Sequence, residues 1–261
     1  MQIEKHSFLV TGGASGLGES VVRAIVAQGG KVVIADLNES VGQALVDELG
    51  DNARFVRCDV TSGDEVQAAV DMAEEAFGGL QGSINCAGIA MVQKLLDRDN
   101  NPADLDAFSR GVTINLVGSF NVARLVAASM AKRVAAKPSD EVNADNGIII
   151  NTASIAAFDG QVGQASYASS KAGVVGMMLP LARELTRHGI RVMTIAPGVF
   201  ATPMMQSLPE KAREQLEAAV PYPKRLGTPN EFAKLVVHII DNAYLNGEVI
   251  RLDGAIRMQP K

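Results

Sequence analysis

Three residues past the middle of the chain have the types and spacing for proton transfer: Ser154, Tyr167 and Lys171. Tyr167 and Lys171 stand four apart at what reads as the start of a helix, so both side chains share one face. An ammonium beside a phenol stabilises the phenolate and lowers the tyrosine pKa from its ordinary value of about 10. A tyrosine tuned in this way can serve as a general base at working pH. In isolation, the same spacing also describes a surface i, i+4 pair beside a helix cap. Ser154 follows a strand-like run 13 positions upstream of the tyrosine, and that placement favours chemistry.

A second constellation lies at the N-terminus: Thr11-Gly12-Gly13-Ala14-Ser15-Gly16-Leu17-Gly18, between a first strand and a first helix. Glycines there let the backbone turn tightly and let a diphosphate approach the amides. The helix N-terminus adds unpaired N–H groups and a positive dipole end. A plain glycine-rich turn would look alike, but Asp36 ends the second strand, 18 residues beyond Gly18. A carboxylate at that spacing accepts hydrogen bonds from the adenosine ribose diol and repels a 2′-phosphate. The neighbours Ser15 and Leu37 are not basic, so the cofactor expected is NAD rather than NADP. Asp59-Val60, after the third strand, is expected to border the adenine, and Cys86-Ala87-Gly88, after the fourth, to flank the cofactor from the other side.

The elements that must position these groups alternate along the chain. Strand-like runs fall at Phe8-Leu9-Val10, Lys31 to Ala35, Arg54 to Cys58, Ile84 to Cys86, Ile148 to Asn151, Val192 to Ile195 and Val249 to Arg251, with helical stretches between them. The first helix is expected over about Gly16 to Gln28, stopped by Gly29-Gly30. The runs are continuously apolar, as a parallel sheet covered on both faces requires. Repeated β-α-β units give an α/β, doubly wound parallel sheet of about seven strands in a single domain, 1–261. Two polar stretches, Asp97 to Pro102 and Ala135 to Gly147, read as surface insertions.

Composition removes other classes. The chain has 261 residues, 24 Lys+Arg against 29 Asp+Glu for a net charge of −5, 47% hydrophobic residues and 20% charged residues. An acidic balance gives no global field for nucleic acid or an anionic membrane. Apolar runs are broken by Gly, Pro or charge, so no membrane span is expected, and the N-terminus lacks a signal-peptide pattern. A cytoplasmic protein is expected. Cys58 and Cys86 are the only cysteines, and His6, His188 and His238 are scattered, so neither a disulfide framework nor a metal site is expected. No Gly-x-Ser-x-Gly occurs, which disfavours a serine hydrolase.

The spacing of Gly12, Gly16 and Gly18 resembles the T-G-x-x-x-G-x-G pattern of the short-chain dehydrogenase/reductase family, and the Ser–Tyr–Lys set completes the likeness. The resemblance implies a Rossmann-type strand order 3-2-1-4-5-6-7, which would keep Cys58 and Cys86 too far apart to bridge. It implies that Ser154 binds the reacting oxygen, that Tyr167 moves its proton, and that Lys171 also holds the nicotinamide ribose. Asn115 matches the family asparagine that supports a water-linked proton relay to the lysine, although a helix-interior Asn bonded to backbone is the alternative. Pro197-Gly198-Val199-Phe200-Ala201-Thr202 resembles the family segment that faces the nicotinamide, with Thr202 at its carboxamide and Phe200 bordering the ring. Cys86 stands where many members carry a second Asn.

Residues 151–165, 191–198 and 246–260 look like the type-2 3-hydroxyacyl-CoA dehydrogenase branch. That resemblance implies NAD-dependent oxidation of (S)-3-hydroxyacyl-CoA, short or branched, to 3-oxoacyl-CoA. The partner expected is thus a small acyl-CoA, in a homotetramer. The substrate loop is expected at about 202–226, mobile, with Met204 and Met205 as an adaptable acyl slot and Gln164 near the thioester. Lys211, Arg213, Lys224 and Arg225 could meet CoA phosphates or form a solvated face. A dehydrogenase for a hydroxysteroid, simple alcohol or acetoacetyl-CoA shares the same motifs, and a non-catalytic cofactor-bound scaffold is the alternative from another class.

Overall fold

The computed structural model describes residues 1–136, 145–206 and 208–260; the greater part of the expected insertion at 135–147 lies outside them. Seven strands form one parallel sheet in the order β3-β2-β1-β4-β5-β6-β7. They are β1 (Ser7–Thr11), β2 (Lys31–Asp36), β3 (Ala53–Arg57), β4 (Gly82–Asn85), β5 (Gly147–Thr152), β6 (Ile190–Pro197) and β7 (Val249–Leu252). The expected order is therefore the observed one. Cys58 and Cys86 are free thiols at the ends of β3 and β4, with β2 and β1 between them.

Successive side chains of a strand point to opposite faces, and here both faces are covered. Phe8, Val10, Ile34, Ile148 and Ile150 pack against α1 (Gly16–Ala27), α2 (Glu39–Leu49) and α9 (Pro229–Asp241). Leu9, Val33, Ile149 and Val192 pack against α3 (Gly63–Phe77), α5 (Gly118–Ala135) and α6 (Ala165–Leu185). Each of these fully buried aliphatic or aromatic side chains stabilises the fold by about 1.5–3 kcal/mol relative to exposure. Helix starts follow capping chemistry: Asn38 accepts the Val41 N–H at α2, and Thr228 with Glu231 forms a capping box at α9.

Helix α4 (Leu105–Val112) runs through a π turn (Thr113–Val117) into α5. The resulting 31-residue helix Leu105–Ala135 is long and apolar enough, by length and composition, to cross a membrane. Its Val122, Ala123, Val126 and Met130 are instead buried against the sheet, so its apolarity serves the core. After β6 the chain forms the short α7 (Pro203–Gln206) and α8 (Glu210–Ala218), which occupy the expected substrate segment.

The opposite edge of the sheet has its own anchor. Arg191, near the start of β6 and 5% exposed, grips Asp145 through two nitrogens at 2.9 and 3.0 Å. It also donates to the carbonyls of Ile239, Ile240 and Leu245 at 2.8–3.0 Å, closing the C-terminal end of α9. Burial alone would raise the Asp145 pKa, but bonds from Arg191 and the Met1 amino group hold it below the ordinary aspartate range.

Candidate active site

The predicted residues meet where the strands end, which is where ligands bind in open parallel sheets. The glycine loop leaves β1, and each glycine has a specific reason. Gly12 adopts φ +63°, and a Cβ there would lie 2.8 Å from the Ala87 nitrogen. A Cβ on Gly18 would run into the Gly12 carbonyl oxygen, so only glycine lets α1 start this close to the turn. Gly16, at φ +58°, faces Thr202 and Pro203 across the cleft, and Ser15 is the α1 N-cap residue, with Leu17 in the first turn of that helix.

Asp36 ends β2 and ties the loop down. One carboxylate oxygen accepts the Ala14 N–H at 3.0 Å and the other the Asn38 N–H at 3.0 Å. Each oxygen retains a lone pair for a further donor. Asp59 closes its own turn on Thr61, and Val60 is buried against Gly118 while its carbonyl accepts from Asn121. Cys86 follows β4, and its thiol accepts from the Thr152 hydroxyl at 3.6 Å. Burial pushes that thiol up to about 11, so it is a neutral wall of the site.

Ser154 follows β5 and caps a 3-10 turn, its hydroxyl accepting the Ala156 N–H at 3.1 Å. The same hydroxyl is close enough to the Tyr167 phenol to favour its ionised form, so the fold brings together two groups that sequence placed 13 apart. The direction of the Tyr167 shift is opposite to the expectation. Burial raises the phenol pKa and outweighs the lowering by Ser154. The lysine does not offset it, because its ammonium lies 5.9 Å from the centre of the tyrosine ring and donates to the Thr152 carbonyl at 2.8 Å. Burial in turn pushes Lys171 down to about 8, with Cys86 opposing.

Asn115 lies in the π turn and is fully buried. Its Oδ1 accepts the Ile89 N–H at 2.8 Å, and its Nδ2 donates to the Ile89 carbonyl at 2.9 Å and to the Ser170 hydroxyl at 3.1 Å. Its carboxamide therefore braces α6 and does not touch Lys171. A Cβ on Gly88 would fall 2.9 Å from the Asn115 oxygen and 3.4 Å from the lysine nitrogen, so glycine is what lets the two approach. Ser170 is a residue that sequence reasoning missed. It passes the Asn115 bond on to the Tyr167 carbonyl at 2.8 Å, and its only signal was its place beside Lys171.

The β6 exit is bounded by Pro197, paired with Leu252, and Gly198, where a Cβ would meet Asp253. Phe200 departs from expectation. Its ring is 6% exposed and packs edge-on against Phe232, 6.4 Å between centroids, so the side chain serves the core and only its backbone can border a nicotinamide. Thr202 accepts the Met205 N–H at 3.4 Å. Met204 is half exposed, whereas Met205 packs with Ile155, Val199, Val220 and Ile256. Gln164 is turned onto Gln161, each bonding the other at 3.2 Å. Arg225 is committed to Glu231 at 2.7 Å, which removes it from the cations available to a phosphate. His6, His188 and His238 sit on separate elements, and no group of three metal-ligating side chains exists among the described residues.

The family model described as short chain dehydrogenase matches residues 6–213. The 3-hydroxyacyl-CoA dehydrogenase type-2 of Bos taurus is 51% identical over 253 residues, covering 97% of this chain and 95% of that protein. The protein of the same name from Homo sapiens is also 51% identical, with the same shares covered. A solved 3-hydroxyacyl-CoA dehydrogenase type-2 from Mycobacterium avium superposes with a TM-score of 0.93 at 48% identity, covering 100% of this chain and 99% of that one. The glycine loop, which packs too closely on Cys86, Ala87 and its own backbone for side chains, opens on the N-terminus of α1 beside Asp36, and this arrangement fits a nicotinamide dinucleotide. With that fit and those matches, the chain belongs to the short-chain dehydrogenase family, oxidoreductases that work with a nicotinamide cofactor.

Proposed function

We propose that this protein is an NAD-dependent 3-hydroxyacyl-CoA dehydrogenase that interconverts (S)-3-hydroxyacyl-CoA and 3-oxoacyl-CoA. The observation that carries the reading is the placing of Tyr167 and the Thr152-anchored Lys171 after β5, at the same sheet edge as the Asp36-tied glycine loop. The substrate class comes from half identity, over nearly the whole chain, to proteins bearing that name. The bound nicotinamide supplies the acceptor and donor of the hydride.

The protein supplies the rest. The Ser154 hydroxyl holds the substrate oxygen, and Tyr167 takes the carbinol proton in oxidation or returns it in reduction. Lys171 is anchored on the Thr152 carbonyl with its ammonium 5.9 Å from the centre of the Tyr167 ring, and it carries a charge at neutral pH. Cys86, Thr152 and the braced start of α6 exclude water from one side of the pair. Asp36 would receive the adenosine ribose hydroxyls and repel a phosphate in their place. A homotetramer belongs to the same reading: Val117, Phe120 and Leu179 stand part-exposed on α5, α6 and the adjoining turn, more apolar surface than a lone helix pair needs.

The test is reduction of acetoacetyl-CoA by the purified protein with NADH, beside NADPH and a CoA-free ketone. Turnover with NADH and acetoacetyl-CoA is expected, and turnover only with the free ketone or a steroid would overturn the substrate. In the same assay Asp36→Ala should narrow the preference for NADH over NADPH by about tenfold, the worth of roughly 1.4 kcal/mol. An unchanged preference would remove Asp36 from cofactor choice.

A further inference from the structure

Between Ser154 and Tyr167 the chain makes an excursion, 158–164, and its geometry is set from outside. Gln93 donates its N–H to the Gly163 carbonyl at 2.7 Å. The C-terminal segment takes the other side: Val162 N–H donates to the Pro260 carbonyl at 3.0 Å, and Gln161 Nε2 to the Gln259 carbonyl at 2.9 Å. At the root of the excursion Arg251, from β7, donates to Asp159 at 2.6 Å and to Asp253 at 2.7 Å. Its guanidinium carbon lies 5.2 Å from the centre of the Phe158 ring.

Position makes this network more than a surface ion pair. The Arg251 and Asp159 side chains are only 22% and 19% exposed, so water screens the pair weakly. The Arg251 bond holds the Asp159 carboxyl below its ordinary range. Strand β7 is already fixed by its pairing with β6, so the sheet does not require Arg251 to reach Asp159. What the bond does fix is the stretch of chain between Ser154 and Tyr167, where Phe158 and Val162 stand half exposed. A planar guanidinium that meets a carboxylate with one nitrogen and lies near an aromatic ring defines orientation as well as distance.

We infer that Arg251 and Asp159 are a positioning pair that sets the acyl-side wall of the active site, 158–164, from the C-terminal segment. The pair acts through Phe158 and the Gln161–Gln164 turn and touches neither cofactor nor reacting atoms. The inference rests on the proposed function for the identity of the substrate, not for the existence of the wall.

The experiment is steady-state reduction of acetoacetyl-CoA with NADH by the full chain carrying Asp159→Ala, Arg251→Met, both together, or Arg251→Lys. Each single loss is expected to raise KM for acetoacetyl-CoA about tenfold with kcat within about threefold, NADH affinity unchanged and the thermal midpoint within a few degrees. The double variant should be no worse than the worse single one, because coupled partners are not additive. Arg251→Lys, which keeps the charge but not the planar fork, should recover part of the KM. An unchanged KM would overturn the proposal, as would additive effects or a loss of NADH affinity and thermal midpoint in step with activity. If Asp159→Ala does not fold, Arg251→Lys alone must still show the KM rise with a normal midpoint. If wild-type protein turns over only a CoA-free ketone, the proposed function fails, and the same KM split on that ketone still decides the fate of the pair.

Discussion

Tyr167→Phe is expected to lower kcat by about 10²- to 10⁴-fold, the usual worth of a positioned proton-transfer group, while NADH affinity stays within about threefold. The phenyl ring fills the same buried space, so the loss is that of the phenol hydroxyl beside Ser154. The wild-type pH profile should carry the same signature. Burial keeps the phenol protonated at neutral pH, so in the reductive direction Tyr167 is ready to donate, whereas in oxidation it must first be relieved of its proton. Lys171, pushed down to about 8, is the first member of the buried pair to lose a proton as pH rises. Oxidation should climb on the alkaline side, as the buried phenol gives up its proton, and the climb should vanish in Tyr167→Phe. A phenylalanine variant with near wild-type turnover would sink the mechanism.

The second large effect lies at the other end of the sheet. Arg191→Met should destabilise the fold by about 3–5 kcal/mol, because it strands a shielded carboxylate and several helix carbonyls at once. For a chain of this size that is roughly 10 °C in Tm, read by thermal unfolding. The sign of the pH dependence follows from Asp145. Its pKa is depressed in the folded state, so its contribution is present above the ordinary carboxylate range and is lost as pH falls through the lowered value. Arg191→Met should lose that acid-side slope together with the stability. A variant that melts with the wild type would show that water and neighbouring groups replace the guanidinium.

The doubly wound parallel sheet was legible because runs of β-branched residues alternate with helical stretches, and the strand order was legible only through the family resemblance. Edges were less so. Strand β4 begins at Gly82, two residues before the apolar signal at Ile84, because its partners set its extent: Gly82 pairs with both Phe8 and Ile148, and there is no room for a side chain between them. The glycine loop and the Ser–Tyr–Lys spacing were legible as chemistry, since backbone approach and helix periodicity are local facts. The direction of the Tyr167 shift was not, because it is a contest between burial and a charge 5.9 Å from the ring centre, and both are tertiary. Phe200 was misread for the same reason: its position after β6 says where its backbone lies but not that its ring turns to Phe232. Arg191 and Asp145 are 46 residues apart, and nothing in either neighbourhood announces the other.

Strand β6 carries Arg191 at its foot and Pro197-Gly198 at its tip, about 20 Å apart at the usual rise per residue. Inheritance can act on these two ends separately. Changes to the loops at the tip alter which alcohol is welcomed without loosening the foot, and weakening the foot shortens the lifetime of the protein without altering what it accepts. A lineage built on this sheet can therefore explore new substrates on a stability that it does not have to reinvent each time.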